Sequence, residues 1–242
     1  MSALNDWFQG IDLSRIIEWL MFAVAAIIAI SVHESSHALS AYWLGDDTAK
    51  RMGRISLNPL RHLDIVGFLM MVVAHFGWAK PVPINPYRMT KVKNPKLGMA
   101  LTAAAGPISN VLLALLFCFG YKLAEFRLLL DIQTGIITDY GTRYYLLYYL
   151  LNFFYACFVL NAGLAVFNLI PISPLDGSKV FAIVLPNKAY AQLMRYERYG
   201  MFVLIALLYL GVLSGPLNFL VGGLLKGIQA LVGPLAAFIT GS

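Results

Sequence analysis

Two histidines four residues apart, His33 and His37, bracket Glu34 in the pattern HESSH within an otherwise apolar stretch. On an α-helix, residues i and i+4 share a face, so both imidazoles can reach one metal ion. Glu34 stands one residue further round, placed to take a proton from a water that the metal acidifies. The pattern points to zinc and to hydrolysis. No other charged residue lies between Trp19 and Leu44. An ionisable group buried without a partner costs several kcal/mol, so three of them in so apolar a stretch indicate function rather than packing.

Zinc in a hydrolase takes three protein ligands and keeps a fourth position for water. The third ligand must be a His, Asp or Glu at the depth of His33 and His37. The other two histidines, His62 and His75, both follow soon after the first apolar stretch. Choosing among the candidates requires the topology.

The 242-residue chain is 60% hydrophobic and 12% charged, where soluble domains carry about 25% charged residues. This composition implies an all-α polytopic membrane protein, and the length allows five to six transmembrane helices. The formal net charge of +6 is spread over loops, with no basic groove interleaved with aromatics. Basic loops fix topology and meet anionic lipid, so the lipid bilayer is an expected partner and nucleic acid is not. Cys118 and Cys157 lie in apolar segments and read as small buried hydrophobes rather than a disulfide. Residues 1–242 read as a single membrane-embedded domain.

The first span runs from Ile16 to about Leu44, with HESSH in its C-terminal half. Lys50, Arg51, Arg54 and Arg61 follow, and by the positive-inside rule that end faces the cytoplasm. Residues 65–76 (IVGFLMMVVAHF) are too few to span. Crossing would also put Lys80, Arg88, Lys91, Lys93 and Lys96 outside, against the charge rule. A short re-entrant or β-hairpin element between the first two long spans is expected instead. The prolines of the next segment, GWAKPVPINP, forbid a helix and leave it extended. Two readings stand for it. Trp78, Pro81, Val82 and Pro83 offer an edge to a peptide substrate, or the segment is a rigid linker with its tryptophan at the headgroup level.

Leu97 to about Tyr121 runs outward, and Tyr144 to Ile170 returns, opening with the aromatic run YYLLYYLLNFFY that suits an interfacial belt. The return ends at Asn168-Leu-Ile-Pro-Ile-Ser-Pro-Leu-Asp176-Gly177, whose prolines break a helix at membrane depth. Such a break is tolerated only where backbone is shielded or lines a wet cavity. Arg198–Leu213 and Pro216–Ile239 form a final pair of spans. This count puts Asp176 on the cytoplasmic side, level with HESSH, and Glu125 and Asp131 on the other. Asp176 is therefore the expected third ligand, its charge balancing part of the dication's in a low dielectric. Should it fail, His62 or His75 is next in line. Asn168 either satisfies backbone groups freed by Pro171 or binds a substrate carbonyl. Asn110 reads first as a helix–helix hydrogen-bonding residue, with a substrate or oxyanion role as the alternative.

Three stretches carry a resemblance: HESSH at 33–37, Gly106-Pro107-x-x-Asn110, and Asn168-x-x-Pro171-x-x-x-x-Asp176-Gly177. Together they resemble the signatures of the site-2 proteases, a family of intramembrane zinc metalloproteases. Leu57-Asn-Pro-Leu-x-His62-x-Asp64 and Gly77-Trp-Ala-Lys-Pro-Val-Pro are similar to its minimal prokaryotic branch, which carries no PDZ or CBS domain. The likeness runs from about Ile16 to Arg198, making 16–198 the catalytic core and 198–240 a C-terminal helix pair. It implies Zn2+ held by His33, His37 and Asp176, with Glu34 as general base. It also implies transmembrane-protein or signal-peptide-like substrates, cleaved within or near their spans, and residence in a prokaryotic plasma (inner) membrane. Ser35 and Ser36 depart from the bulky and small residues usual between Glu and His.

The expected activity is that of a zinc metalloendopeptidase. Prenyl-protein endopeptidases also carry HExxH, but they resemble an arrangement with a later Glu ligand, and neither Glu125 nor Glu197 is suitably placed. The rival from a different class is a non-proteolytic membrane metal-binding or metal-transport protein, whose ligands would be strung through the bundle rather than clustered.

Overall fold

The computed structural model describes residues 13–62, 64, 66, 67, 69, 70 and 80–241. Trp78, His75 and most of the stretch 65–76 lie outside the described residues, and with them the expected re-entrant or β-hairpin element. Among the described residues the chain is helical and has no strand. The α-helices are α1 (Leu13–Trp43), α2 (Thr48–Arg51), α3 (Pro95–Gln133), α4 (Thr142–Asn168), α5 (Asp176–Phe181), α6 (Asn187–Tyr209) and α7 (Ser214–Thr240). Four of them, α1, α3, α4 and α7, are long and apolar enough to cross a membrane. The protein is an integral membrane protein.

Helix boundaries follow local chemistry. α3 starts at Pro95, whose missing N–H is harmless in a first turn, and Asn94 caps it by accepting from Lys96 N. The charges after Tyr121 mark an expected span end, yet α3 continues to Gln133, about 58 Å in all at 1.5 Å per residue. Its last turns are laced by Lys122–Glu125 at 2.8 Å and Arg127–Asp131 at 3.2 Å. Arg143 from the start of α4 also reaches Asp131, at 2.7 Å. Charge thus ends the apolar stretch without ending the helix. α4 stops at Asn168, and the two prolines behind it keep the chain irregular until α5 begins at Asp176. α6 contributes a shorter apolar stretch, Tyr199–Tyr209.

Small side chains let the long helices approach closely, as membrane helices without a hydrophobic drive require. Ala25, Ala26 and Ala29 of α1 and Ala100 and Ala103 of α3 are all buried. A core of Ala114, Cys118, Phe158, Ala162, Ile228 and Val232 joins α3, α4 and α7. Cys118 and Cys157 are buried free thiols. In the aromatic run, Tyr144 stacks on Tyr148 and Tyr145 on Tyr149 at helical spacing, while Tyr145 and Tyr155 stay exposed.

Candidate active site

HESSH lies in the C-terminal half of α1, and α3 crosses directly against it. His33 Nε2 lies 3.1 Å from His37 Nε2 and 3.1 Å from Asp176 Oδ2, and His37 Nε2 lies 3.2 Å from that same oxygen. These residues, 143 apart in sequence at the extreme, form the one metal-competent cluster among the described residues. Both histidines are buried and Asp176 is nearly so.

The outer ring nitrogens decide what this triangle presents. His33 Nδ1–H donates to Asn110 Oδ1 at 2.5 Å, and His37 Nδ1–H donates to the Thr102 carbonyl at 2.7 Å. With protons held on both Nδ1 atoms, both Nε2 atoms carry lone pairs. Three lone-pair atoms then face one another at van der Waals distance or less, an arrangement that a bound cation reconciles. Zinc fits. Four-coordinate bonds of about 2.0–2.1 Å separate neighbouring ligand atoms by about 3.3 Å, close to the three distances found.

The glycines explain the local sequence. A Cβ on Gly106 would stand 2.5 Å from His37 Nε2 and 2.6 Å from His33 Cε1, so α3 can lie against the imidazoles only at a glycine. A Cβ on Gly177 would meet the carbonyls of Leu169 and Ile170 at 2.3 and 2.4 Å. Gly177 therefore lets α5 start tight against the end of α4, and that start carries Asp176.

Glu34 lines a cavity of about 280 Å³ together with His33, His37 and Asp176. The walls are largely apolar, including Ile30, Met99, Leu164 and Phe167, with Asn168 the amide among them. Asn168 Nδ2 donates to the Leu164 carbonyl one turn back, at 3.0 Å. From the extended segment Pro81, Val82 and Ile84 reach the cavity, whereas Pro83 does not line it. That segment is fixed at both ends. Lys80 N donates to the His62 carbonyl at 2.8 Å, and Asn85 N donates to Asp46 Oδ2 at 2.6 Å. Lys179 of α5 also borders the cavity, 3.8 Å from Glu197 of α6.

His62 is fully buried, but its Nε2 donates to the Ser56 carbonyl at 2.6 Å and lies 3.2 Å from Ser35 Oγ, apart from the cluster. Asn110 is fully buried, and all its polar atoms face protein groups. Its partner Asn161, also fully buried, escaped the sequence reading. The available signal was one of three asparagines in the apolar run of α4, which looks like any helix–helix contact.

The profile of Peptidase family M50 matches residues 21–211. The chain is 36% identical over 187 residues to "Putative zinc metalloprotease YwhC" of Bacillus subtilis, covering 76% of this chain and 78% of that one. To "Putative zinc metalloprotease Rip2" of Mycobacterium tuberculosis it is 26% identical over 203 residues, covering 81% and 70% respectively. No solved structure matches.

Proposed function

Because this chain belongs to peptidase family M50, and is thus an intramembrane zinc metalloprotease of the site-2 type, we propose that His33, His37 and Asp176 are its zinc ligands and Glu34 its general base. The observation that carries the assignment is the closed triangle of lone pairs, 3.1, 3.1 and 3.2 Å on a side. Zinc supplies Lewis acidity at that point, polarising a carbonyl and acidifying water. Glu34 takes the proton of the attacking water and passes it to the leaving amine nitrogen. The apolar walls exclude bulk water and strengthen each charge interaction inside them. Metal transport is not favoured, since the ligands sit together at one level.

The substrate is a transmembrane or signal-peptide-like segment of another protein. In a helix each carbonyl is bonded to the N–H four residues on and covered by side chains, so the segment must unwind before cleavage. The extended segment supports a place for the unwound strand: Pro81 and Val82 line the cavity, with Pro83 between cavity-lining neighbours and Trp78 further back on the same segment. Asn168 lines the same cavity and is the side chain we assign to a substrate carbonyl. For Asn110, the full engagement of its polar atoms supports a positioning role rather than substrate contact.

The basic stretch Lys50 to Arg61, directly after α1, supports an active site toward the cytoplasmic side of a prokaryotic plasma membrane. We further propose five to six spans with a re-entrant element at 65–76. Residues 1–242 form one domain, with 16–198 the catalytic core and 198–240 a packing or gating pair.

The test is zinc content in purified wild type, Asp176→Ala and His33→Ala. Zinc bound by wild type and lost from both variants is expected. Zinc retained by Asp176→Ala but lost from His33→Ala would remove Asp176 from the ligand set. Its absence from a folded wild type would overturn the whole site.

A further inference from the structure

An amide chain runs behind the site, across three helices. Asn161 of α4 donates from Nδ2 to the carbonyl of Cys157, one turn back in its own helix, at 2.8 Å. Its Oδ1 accepts from Asn110 Nδ2 of α3 at 2.8 Å. Asn110 Nδ2 also faces the carbonyl of Ala29 in α1 at 3.4 Å, and Asn110 Oδ1 accepts from His33 Nδ1. Asn110 and Asn161 have no solvent exposure, and His33 has 7%.

Each link fixes the next. The Cys157 carbonyl accepts and cannot donate, so Asn161 must turn its NH2 toward it and its oxygen toward Asn110. Asn110 must then present its NH2 to that oxygen, and the Ala29 carbonyl asks the same of it. Only the Asn110 oxygen is left for His33. An amide has a donor end and an acceptor end, so it passes this polarity along without a charge. The chain ends on an imidazole nitrogen that has to carry the proton.

We propose that Asn110 and Asn161 are positioning residues that hold the His33 proton on Nδ1 and so keep Nε2 free as a metal ligand. The proposal rests on His33 being a ligand. His37 reaches the same state without help, because its Nδ1 faces a main-chain carbonyl directly. His33 has no such neighbour: its outer nitrogen faces a side-chain amide, which presents either end when nothing constrains it. With Asn161 replaced by an apolar residue, only the Ala29 carbonyl at 3.4 Å still holds the Asn110 NH2, and Asn110 turns that NH2 toward His33 far more readily. The imidazole proton then moves to Nε2, into the metal position. Outer partners of this kind are worth about 10–100-fold in metal affinity.

The proposal separates two substitutions at one position. Asn161→Leu removes the acceptor that orients Asn110. Asn161→Asp keeps it, since either a carboxylate or a protonated carboxyl whose hydroxyl donates to Cys157 still accepts from Asn110. Zinc affinity is to be measured by chelator competition on the full-length purified protein, with His33→Ala as reference. About 10–100-fold weaker binding is expected in Asn161→Leu and Asn110→Leu, with Asn161→Asp close to wild type. Equal affinity in Asn161→Leu and wild type would overturn the relay, as would equal weakness in Asn161→Asp and Asn161→Leu. Unchanged zinc binding in His33→Ala would instead overturn the ligand assignment.

A second measurement stands even if the leucine variants fail to fold. Nitrogen NMR of histidine-labelled, zinc-free Asp176→Ala, in which no carboxylate faces Nε2, reads the tautomer of His33 directly. The proton is expected on Nδ1. Finding it on Nε2 would overturn the relay.

Discussion

Gly106 packs directly against His37: a Cβ at residue 106 would lie 2.5 Å from the ring's Cε1 and Nε2 atoms. The main chain of α3 therefore lies directly against the His33 and His37 imidazoles, and neighbouring residues on the same helix face the same rings. Thr102 accepts from His37 Nδ1 and Asn110 accepts from His33 Nδ1. One helix orients both imidazoles.

Gly106→Ala tests that packing. The added methyl forces α3 or the imidazoles aside, and a displacement of about 1 Å at a reacting centre costs on the order of 10²-fold in rate. Cleavage is expected to fall by about that factor, with weakened zinc binding and retained helix content by circular dichroism. Full activity in Gly106→Ala would mean that the rings tolerate another position.

Glu34→Gln removes the proposed proton carrier without removing a proposed ligand. Zinc content is expected to stay at the wild-type level while turnover falls by roughly 10²–10⁴-fold, the range for a positioned acid–base group. Comparable turnover in the variant would assign the proton transfer elsewhere.

Gly177→Ala acts from behind on Asp176, the proposed third ligand. Its methyl meets main-chain carbonyls rather than flexible side-chain ends, so the start of α5 must move and carry Asp176 with it. Overpacking of this kind costs about 1–3 kcal/mol. A lower unfolding temperature together with weaker zinc binding is expected, and an unchanged zinc affinity would show that Asp176 adjusts freely.

Asp46→Ala probes the extended segment at a distance from the metal. Fully buried Asp46 accepts from Thr48 N at 3.0 Å and from Asn85 N at 2.6 Å, tying the end of the segment to the turn after α1. Hydrogen bonds to a charged group contribute about 1.5–3 kcal/mol each. Cleavage is expected to drop with zinc still bound, as it is for replacement of Pro81 and Pro83. Loss of zinc alongside cleavage in these variants would place the segment's role in holding the site together rather than in holding substrate.

Much of this protein is readable from the chain alone. Periodic apolar runs of span length dictate membrane helices, because lipid leaves backbone groups no other partner. An ionisable triplet at i, i+1 and i+4 inside such a run points to a metal and, as we propose, a base. The distribution of lysines and arginines sets the expectation that Asp176 lies level with HESSH, and the fold brings its carboxylate to 3.1 Å from His33 Nε2. Local chemistry also fixes the break after Asn168, where prolines leave no helix to continue.

Other features depend on which atoms come to lie beside one another. That Gly106 is required shows only when α3 is laid against His33 and His37, since a glycine in a helix carries no local sign of what its missing Cβ would strike. Asn161 has the same character. Its effect on His33 passes through Asn110, and hydrogen-bond polarity across three helices is a property of their crossing rather than of any one segment. The extension of α3 to Gln133 is likewise tertiary in part: local ion pairs carry the helix onward, and Arg143 of α4 completes the burial of Asp131. Spacing along the chain determines which residues share a face. Only packing determines what that face meets.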